Sequence, residues 1–241
     1  MTLNVAHRGA SALAPENTML AFERAVELGA DALELDLHLS RDGELVVIHD
    51  ETLDRTTNGR GPVHEWSLDE LKRLDAGGWF GQAFAGQRIP TLAEVLDRFA
   101  GTLPLALEVK AGSAFFPGIE ETVVAALRRH SVIEHVAVAS FDHVALRRLK
   151  EIEPTLRTGM LMVGRPVSVP AIAHACRADA VALEASFVTE TEVGACRSAG
   201  LQLVAWVVNE PSRMRRLLAL GVDGIITDRP DLLRAALDQR T

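Results

Sequence analysis

The 241-residue chain contains no tyrosine, which excludes a phosphotyrosine-type covalent intermediate. Cysteine is scarce: Cys176 and Cys196 sit in two similar "ACR" segments of expected helices, with no CxxC and no metal-ligand spacing. They fit buried structural thiols in a reducing compartment. Positive charge is in deficit, with 25 Lys and Arg against 33 Asp and Glu and a formal charge of −8. That balance argues against a nucleic-acid surface or a polybasic membrane anchor. An anionic substrate needs a local positive site here, because the overall field repels it. Long apolar runs are missing as well. "LQLVAWVV" at 201–208 falls far short of the roughly 20 residues that span a bilayer. "MTLNVAHRG" lacks the basic start and apolar run of a signal peptide. The expectation is a soluble, cytoplasmic protein with a small-molecule substrate, no nucleic-acid partner and no stable membrane anchor.

What is present is a regular alternation. Apolar residues make up 48% of the chain, enough for a sizeable core. Short apolar runs predict strands over 3–6, 32–38, 104–109, 136–140, 157–162, 180–183, 202–207 and 223–227. Amphipathic patterns predict helices over 17–28, 119–130, 143–151, 168–176, 189–198, 211–219 and 230–238. Strands alternating with helices imply parallel βαβ units. Eight of them in about 250 residues is the count for an α/β fold of the (β/α)₈ TIM-barrel kind, although a doubly wound open sheet has the same local grammar. Residues 1–241 then form one domain. "ELVVIHD" at 44–50 follows the Asp42-Gly43 turn and predicts a hairpin with the strand at 32–38. "SLDE" at 67–70 and "TLAE" at 91–94 both match the capping box. Residues 51–101 therefore read as a small insertion between the second and third barrel strands, plus the second barrel helix.

One strand departs from the apolar background. In "DALELDLHLS" (31–40), leucines alternate with Glu34, Asp36 and His38. Period-two alternation gives a strand one polar face, and in a barrel that face turns inward. "LPLALEVKAG" puts Glu108 and Lys110 on one face at the end of the third strand. The first strand ends in His7-Arg8-Gly9 and the hairpin in His49-Asp50. All these clusters fall at strand C-terminal ends, where barrel active sites form. Three carboxylates without sulfur favour a hard ion, Mg²⁺ or Ca²⁺. A zinc hydrolase would want histidine pairs, and the chain has no HxH or HExxH. Arg8 and Lys110 supply the local positive charge for an anion, and His7 and His49 a general base and a general acid. The set suits phosphoester cleavage better than sugar or amide hydrolysis. Singly, each residue has a plainer reading, such as an ion pair between Glu108 and Lys110.

The combination resembles the glycerophosphodiester phosphodiesterase family. The stretches that carry the resemblance include "HRGASALAPENT", "LELDLHLSRDGELVVIHDETLDRTTNGRG", "IPTLAEVL", "ALEVK", "SFD", "WVVN" and "GVDGIITDRPD", in order from residue 7 to 231. The resemblance implies a TIM barrel with a small insertion that hydrolyses glycerophosphodiesters to sn-glycerol 3-phosphate and an alcohol. By position, it implies Glu34, Asp36 and Glu108 as metal ligands, His7 and His49 as the acid/base pair, and Arg8 and Lys110 near the phosphate. It further implies Phe141 and Trp206 as aromatic positions near the pocket. The glycerol 2-hydroxyl is then a candidate first nucleophile giving a cyclic phosphate, with direct attack by water the open alternative. Glu16 and Asn17 of "PENT" are expected to organise the first loop and cap the next helix. Asp50 is expected to orient its neighbours, and His38 to be a hydrogen-bonded structural histidine.

Departures from the family pattern are few. Val207 stands where the family usually has threonine, and Glu184 and Phe187 match no definite role. A related barrel enzyme, a lysophospholipase D or phosphoinositide-type phospholipase C, would want an apolar lipid-facing rim. The insertion offers only Trp66, Trp79, Phe80 and Phe84 for one. A non-catalytic binding module would show damage among the histidines, carboxylates and cations, and all seven are intact.

Overall fold

A computed structural model describes residues 2–239. The strands are β1 (Leu3–His7), β2 (Ala32–Leu39), β3 (Leu45–Val47), β4 (Leu105–Val109), β5 (Val136–Ser140), β6 (Arg157–Met162), β7 (Ala180–Glu184), β8 (Gln202–Trp206) and β9 (Gly224–Thr227). The helices are α1 (Met19–Glu27), α2 (Leu68–Leu71), α3 (Leu92–Phe99), α4 (Ile119–Arg129), α5 (His143–Ile152), α6 (Val169–Ala175), α7 (Glu190–Ser198), α8 (Pro211–Leu220) and α9 (Pro230–Asp238). All strands but β3 are parallel to their neighbours in the barrel, and β1 pairs with both β2 and β9, which closes eight strands into a barrel. The expected (β/α)₈ architecture is therefore what forms. No helix among the described residues is long and apolar enough to cross a membrane.

Two apolar layers follow from strand alternation. Leu33, Leu35 and Leu37 are fully buried and join Phe22 of α1 and Val95, Leu96 and Phe99 of α3 in the core between sheet and helices. Inside the barrel, Val5, Ala32 and Ile226 form a small separate cluster beneath the mouth. Glu34, Asp36 and His38 are buried too, so the polar face of β2 does turn inward. Burying three ionisable groups on one strand is costly unless each has a partner.

The hairpin explains how one strand edge serves two neighbours. The first part of β2 pairs with β1, with His7 opposite Glu34. Its last part pairs antiparallel with β3, with Leu37 opposite Val47. Because β3 runs backwards, Ile48 reaches Asp36 (N–H to the Asp36 carbonyl, 3.1 Å). His49 is thereby returned to the level where β1 ends. The insertion beyond it has its own cluster, with Val46, Ile48, Leu53, Val63, Leu71, Ala76 and Ile89 packed against Trp66, Leu68 and Leu74. Both predicted capping boxes are present, at Ser67–Glu70 and Thr91–Glu94.

The first helix requires a correction. Its N-cap is Thr18, whose side chain accepts from the Ala21 amide, and not Asn17. Asn17 instead adopts a left-handed conformation (φ 56°), and its side-chain amide donates to Asp36.

Candidate active site

The inward ends of β1, β2 and β4 deliver most of the site. Carboxylate oxygens of Glu34 and Asp36 from β2 and Glu108 from β4 all lie within 4.8 Å of one another. The strands are in register there, with Asp36 opposite Glu108. Asp36 is completely buried and heavily partnered. Asn17 Nδ2 donates to its Oδ2 at 2.8 Å, Arg8 Nε lies 3.2 Å from Oδ2, and Lys110 Nζ lies 3.1 Å from Oδ1. Burial would raise its pKa, but Lys110 and Arg8 outweigh that and hold it low. Glu34 is driven the other way, by burial and then by the Asp36 charge. Its Oε2 accepts the Arg8 backbone N–H at 3.0 Å. Burial and Asp36 raise Glu108 as well. Lys110 Nζ sits 2.6 Å from Glu108 Oε1 but is poorly aligned, leaving that buried oxygen without a hydrogen bond. Three crowded carboxylates, two pushed toward protonation and one with an unused buried oxygen, fit a hard divalent cation.

The two histidines flank this cluster, and each has an aspartate on Nδ1. His7 Nδ1 lies 2.6 Å from Asp228 Oδ1, and His49 Nδ1 lies 2.7 Å from Asp50 Oδ1. Burial works against charge on His7, but the Asp228 contact and the Glu34 charge raise its pKa. Asp50 in turn is gripped by Arg55 through both oxygens, at 2.7 and 2.9 Å. Arg55 also makes two bonds to Glu16, which pairs with Arg8 Nη1 at 2.9 Å. Glu16 thus ties the first loop to the segment after His49, as the organising role for "PENT" anticipates. His38 donates from Nε2 to the His49 carbonyl (3.0 Å), so it braces the hairpin end and takes the structural part expected of it.

The aromatic pair meets across the mouth. Phe141 follows β5 and Trp206 ends β8, yet their rings stand 5.5 Å apart edge to face. Trp206 is anchored by its indole N–H on the Ala182 carbonyl at 2.9 Å. Asp142 of "SFD" caps α5 and also accepts from Gly112 N–H (3.1 Å), stitching the loops after β4 and β5 together. Glu184 ends β7 opposite Trp206 and receives the Ser186 N–H at 3.1 Å. Of the four insertion aromatics only Trp79 is exposed, with Arg55 over its ring.

The three carboxylates, two histidines and two cations named from the sequence meet at this mouth, with Phe141 and Trp206 beside it, but four neighbours were not foreseen in their roles: Asp228, Asn209, Arg55 and Ser11. Asp228 carries the same signal as Glu108, a carboxylate at the C-terminal end of a barrel strand. Arg55 lies in "RTT", quoted above without a role.

A family model described as the glycerophosphoryl diester phosphodiesterase family matches residues 7–232. The glycerophosphodiester phosphodiesterase of Caldanaerobacter subterraneus subsp. tengcongensis is 45% identical over 235 residues, 96% of each chain. Among solved structures, a glycerophosphodiester phosphodiesterase from Agrobacterium tumefaciens is 34% identical with a TM-score of 0.86, covering 98% of this chain and all of that one. An Oleispira antarctica phosphodiesterase, solved in complex with the product sn-glycerol-3-phosphate, is 31% identical with a TM-score of 0.90, covering 97% and 96%. The chain belongs to the glycerophosphoryl diester phosphodiesterase family and is a phosphodiester hydrolase.

Proposed function

We propose that this protein hydrolyses glycerophosphodiesters to sn-glycerol 3-phosphate and an alcohol, with His7 and His49 as the acid/base pair. In this reading Glu34, Asp36 and Glu108 hold one divalent cation, Mg²⁺ or Ca²⁺. The observation that carries it is the convergence of three carboxylates, two histidines and two cations at one barrel mouth. Charge accounting supports it. Three ionised carboxylates against Arg8 and Lys110 leave one negative charge; a divalent cation turns this into one positive charge, matching a singly charged phosphodiester. When bound, such a cation supplies Lewis acidity toward a phosphoryl oxygen, typically several kcal/mol of transition-state stabilisation.

The chain's own residues do the rest. Arg8 and Lys110 face the phosphate oxygens, and Phe141 with Trp206 forms an apolar wall for the organic part of the substrate. With Nδ1 engaged, each histidine keeps only Nε2 for chemistry. One takes the proton from the attacking hydroxyl as its oxygen bonds to phosphorus. The other gives a proton to the alkoxide released as the opposite P–O bond breaks. Each role is typically worth about 10² to 10⁴ in rate. The attacking hydroxyl is that of the glycerol 2-position or of water; trapping a cyclic glycerol phosphate during turnover identifies the first route.

The decisive assay is release of glycerol 3-phosphate from a panel of glycerophosphodiesters with Mg²⁺, Ca²⁺ or Mn²⁺, and with chelator. Release that chelator abolishes is expected, and no release with any of the three ions sinks the proposal. His7→Ala and His49→Ala should each lose at least about 10²-fold in kcat. Rates within a few fold of the parent would remove those two residues from the chemistry.

A further inference from the structure

The last barrel strand ends in a carboxylate for which the acid/base reading has no use. Asp228 follows β9 directly and meets His7 Nδ1 through Oδ1 at 2.6 Å. Its Oδ2 accepts from Asn209 Nδ2, also at 2.6 Å. Asn209 is itself fixed: its Oδ1 accepts the Asp228 backbone N–H (2.9 Å) and the Thr227 hydroxyl (3.1 Å). Ser11 Oγ lies 2.8 Å from both Asp228 Oδ1 and the His7 carbonyl, and its single proton serves one of them at a time. Three segments far apart in sequence, 7–11, 209 and 227–228, thus close one network on a single imidazole nitrogen.

An ordinary tie between β1 and β9 is the plainer account, but the strands do not need it. They are already paired from Leu3 opposite Gly224 to Ala6 opposite Thr227, and the Asp228 contact lies beyond that ladder at the mouth. A tie also needs only one carboxylate oxygen. Here both are engaged, and a carboxylate held at both oxygens has a fixed plane and can aim the ring it accepts from.

We infer that Asp228 is a positioning residue for His7, fixing the ring with its proton on Nδ1 and Nε2 free for the reaction, and that Asn209 and Ser11 hold Asp228 to that task. The inference rests on the proposed acid/base role of His7. No proton passes to Asp228; it selects the tautomer and the ring orientation.

The test pairs kinetics with ¹⁵N NMR of the histidine rings at a pH where His7 is neutral. Asp228→Asn should lower kcat by about 10²- to 10⁴-fold and leave KM within about threefold, because the phosphate-facing cations and the carboxylate cluster are untouched. Its His7 resonances should lose the Nδ1-protonated signature of the parent. Asn209→Ala keeps the carboxylate but releases its aim; about a tenfold loss in kcat and a mixed tautomer are expected. It also carries both readouts if Asp228→Asn does not fold. The inference is overturned if His7→Ala is inactive while Asp228→Asn and Asn209→Ala stay within about threefold of the parent in kcat. An unchanged His7 tautomer in both variants overturns it too. If His7→Ala keeps full activity, the acid/base reading fails instead, and the spectra alone decide whether Asp228 sets the ring.

Discussion

Asp228 also links the site to acid stability. Burial works against its charge, but the His7 contact and the Asn209 and Ser11 donors hold its pKa down to about 2, against an ordinary 3.8. The folded value is the lower one, so the group contributes stability that is complete above about pH 4 and is lost as pH falls toward 2. The difference corresponds to about 2 kcal/mol at most, reduced by solvent screening because the side chain is 26% exposed. Urea unfolding of the parent and Asp228→Asn should therefore show a gap of about 1–2 kcal/mol between pH 5 and 7 that roughly halves by pH 3. A gap independent of pH across that range would mean that the pair contributes no charge interaction. The histidine-carboxylate pairs differ in their outer partners: Arg55 balances Asp50, whereas beyond His7 itself Asp228 is held by the neutral donors Asn209 and Ser11. At this scale the sequence is readable wherever a polar residue interrupts an apolar strand, as at Glu34, Asp36 and Glu108. It misleads where a polar residue sits in an ordinary helix entry. "TDRP" looks like a loop leading to a proline-started helix, and "ENT" like a capping sequence; both are so, and both also set a side chain against the carboxylate and histidine cluster. Propensity cannot separate the two uses, because a spare hydrogen-bonding group leaves no periodic trace.

Between residue and molecule stands the turn that ends β1. Arg8 (φ 54°) and Gly9 (φ 82°) are both left-handed, and this pair of turns swings the Arg8 amide onto Glu34 while the chain passes against α1. A Cβ on Gly9 would stand 2.5 Å from the Ala21 carbonyl carbon and 2.6 Å from its oxygen. Those atoms are helix backbone and cannot rotate away. The Ala21 oxygen also accepts the Ala10 N–H at 2.9 Å, so the turn and α1 are locked together. Gly9→Ala should cost about 2–4 kcal/mol in urea unfolding, from strained φ and displaced helix together, and should lower kcat/KM because His7 and Arg8 adjoin it. Unchanged stability would show that α1 yields freely. Elements themselves were legible to within a residue or two, since apolar periodicity and capping chemistry are local. β4 was expected over 104–109 and spans Leu105–Val109; α3 begins at its capping box as expected. The short single-turn helices at Val63–Glu65 and Gln82–Phe84 were not, because one turn is too short to show a period.

For the whole molecule, closure is what local pattern cannot supply. An open doubly wound sheet and a barrel share the same alternation of strands and helices; what differs is that β1 pairs with the last strand β9 as well as with β2, joining residues 221 positions apart. The β2 pairing puts Glu34 beside His7, and closure through β9 turns the polar face of β2 into an interior. The outer helices depend on the same closure, and the two cysteines report on it. Cys176 and Cys196 are buried in the layer between helices and barrel. Burial, then the Asp223 and Glu192 charges, pushes the Cys196 thiol up to about 11, and burial raises Cys176 as well. Neither should react with a thiol reagent at pH 8 in the folded protein, because reaction needs an exposed thiolate. In a urea series both should become reactive at the concentration where circular dichroism is lost, if helices and barrel unfold as one unit. Labelling of Cys196 well before that midpoint would show that α7 leaves the barrel on its own. The site would then rest on strands whose closure outlasts their helical coat.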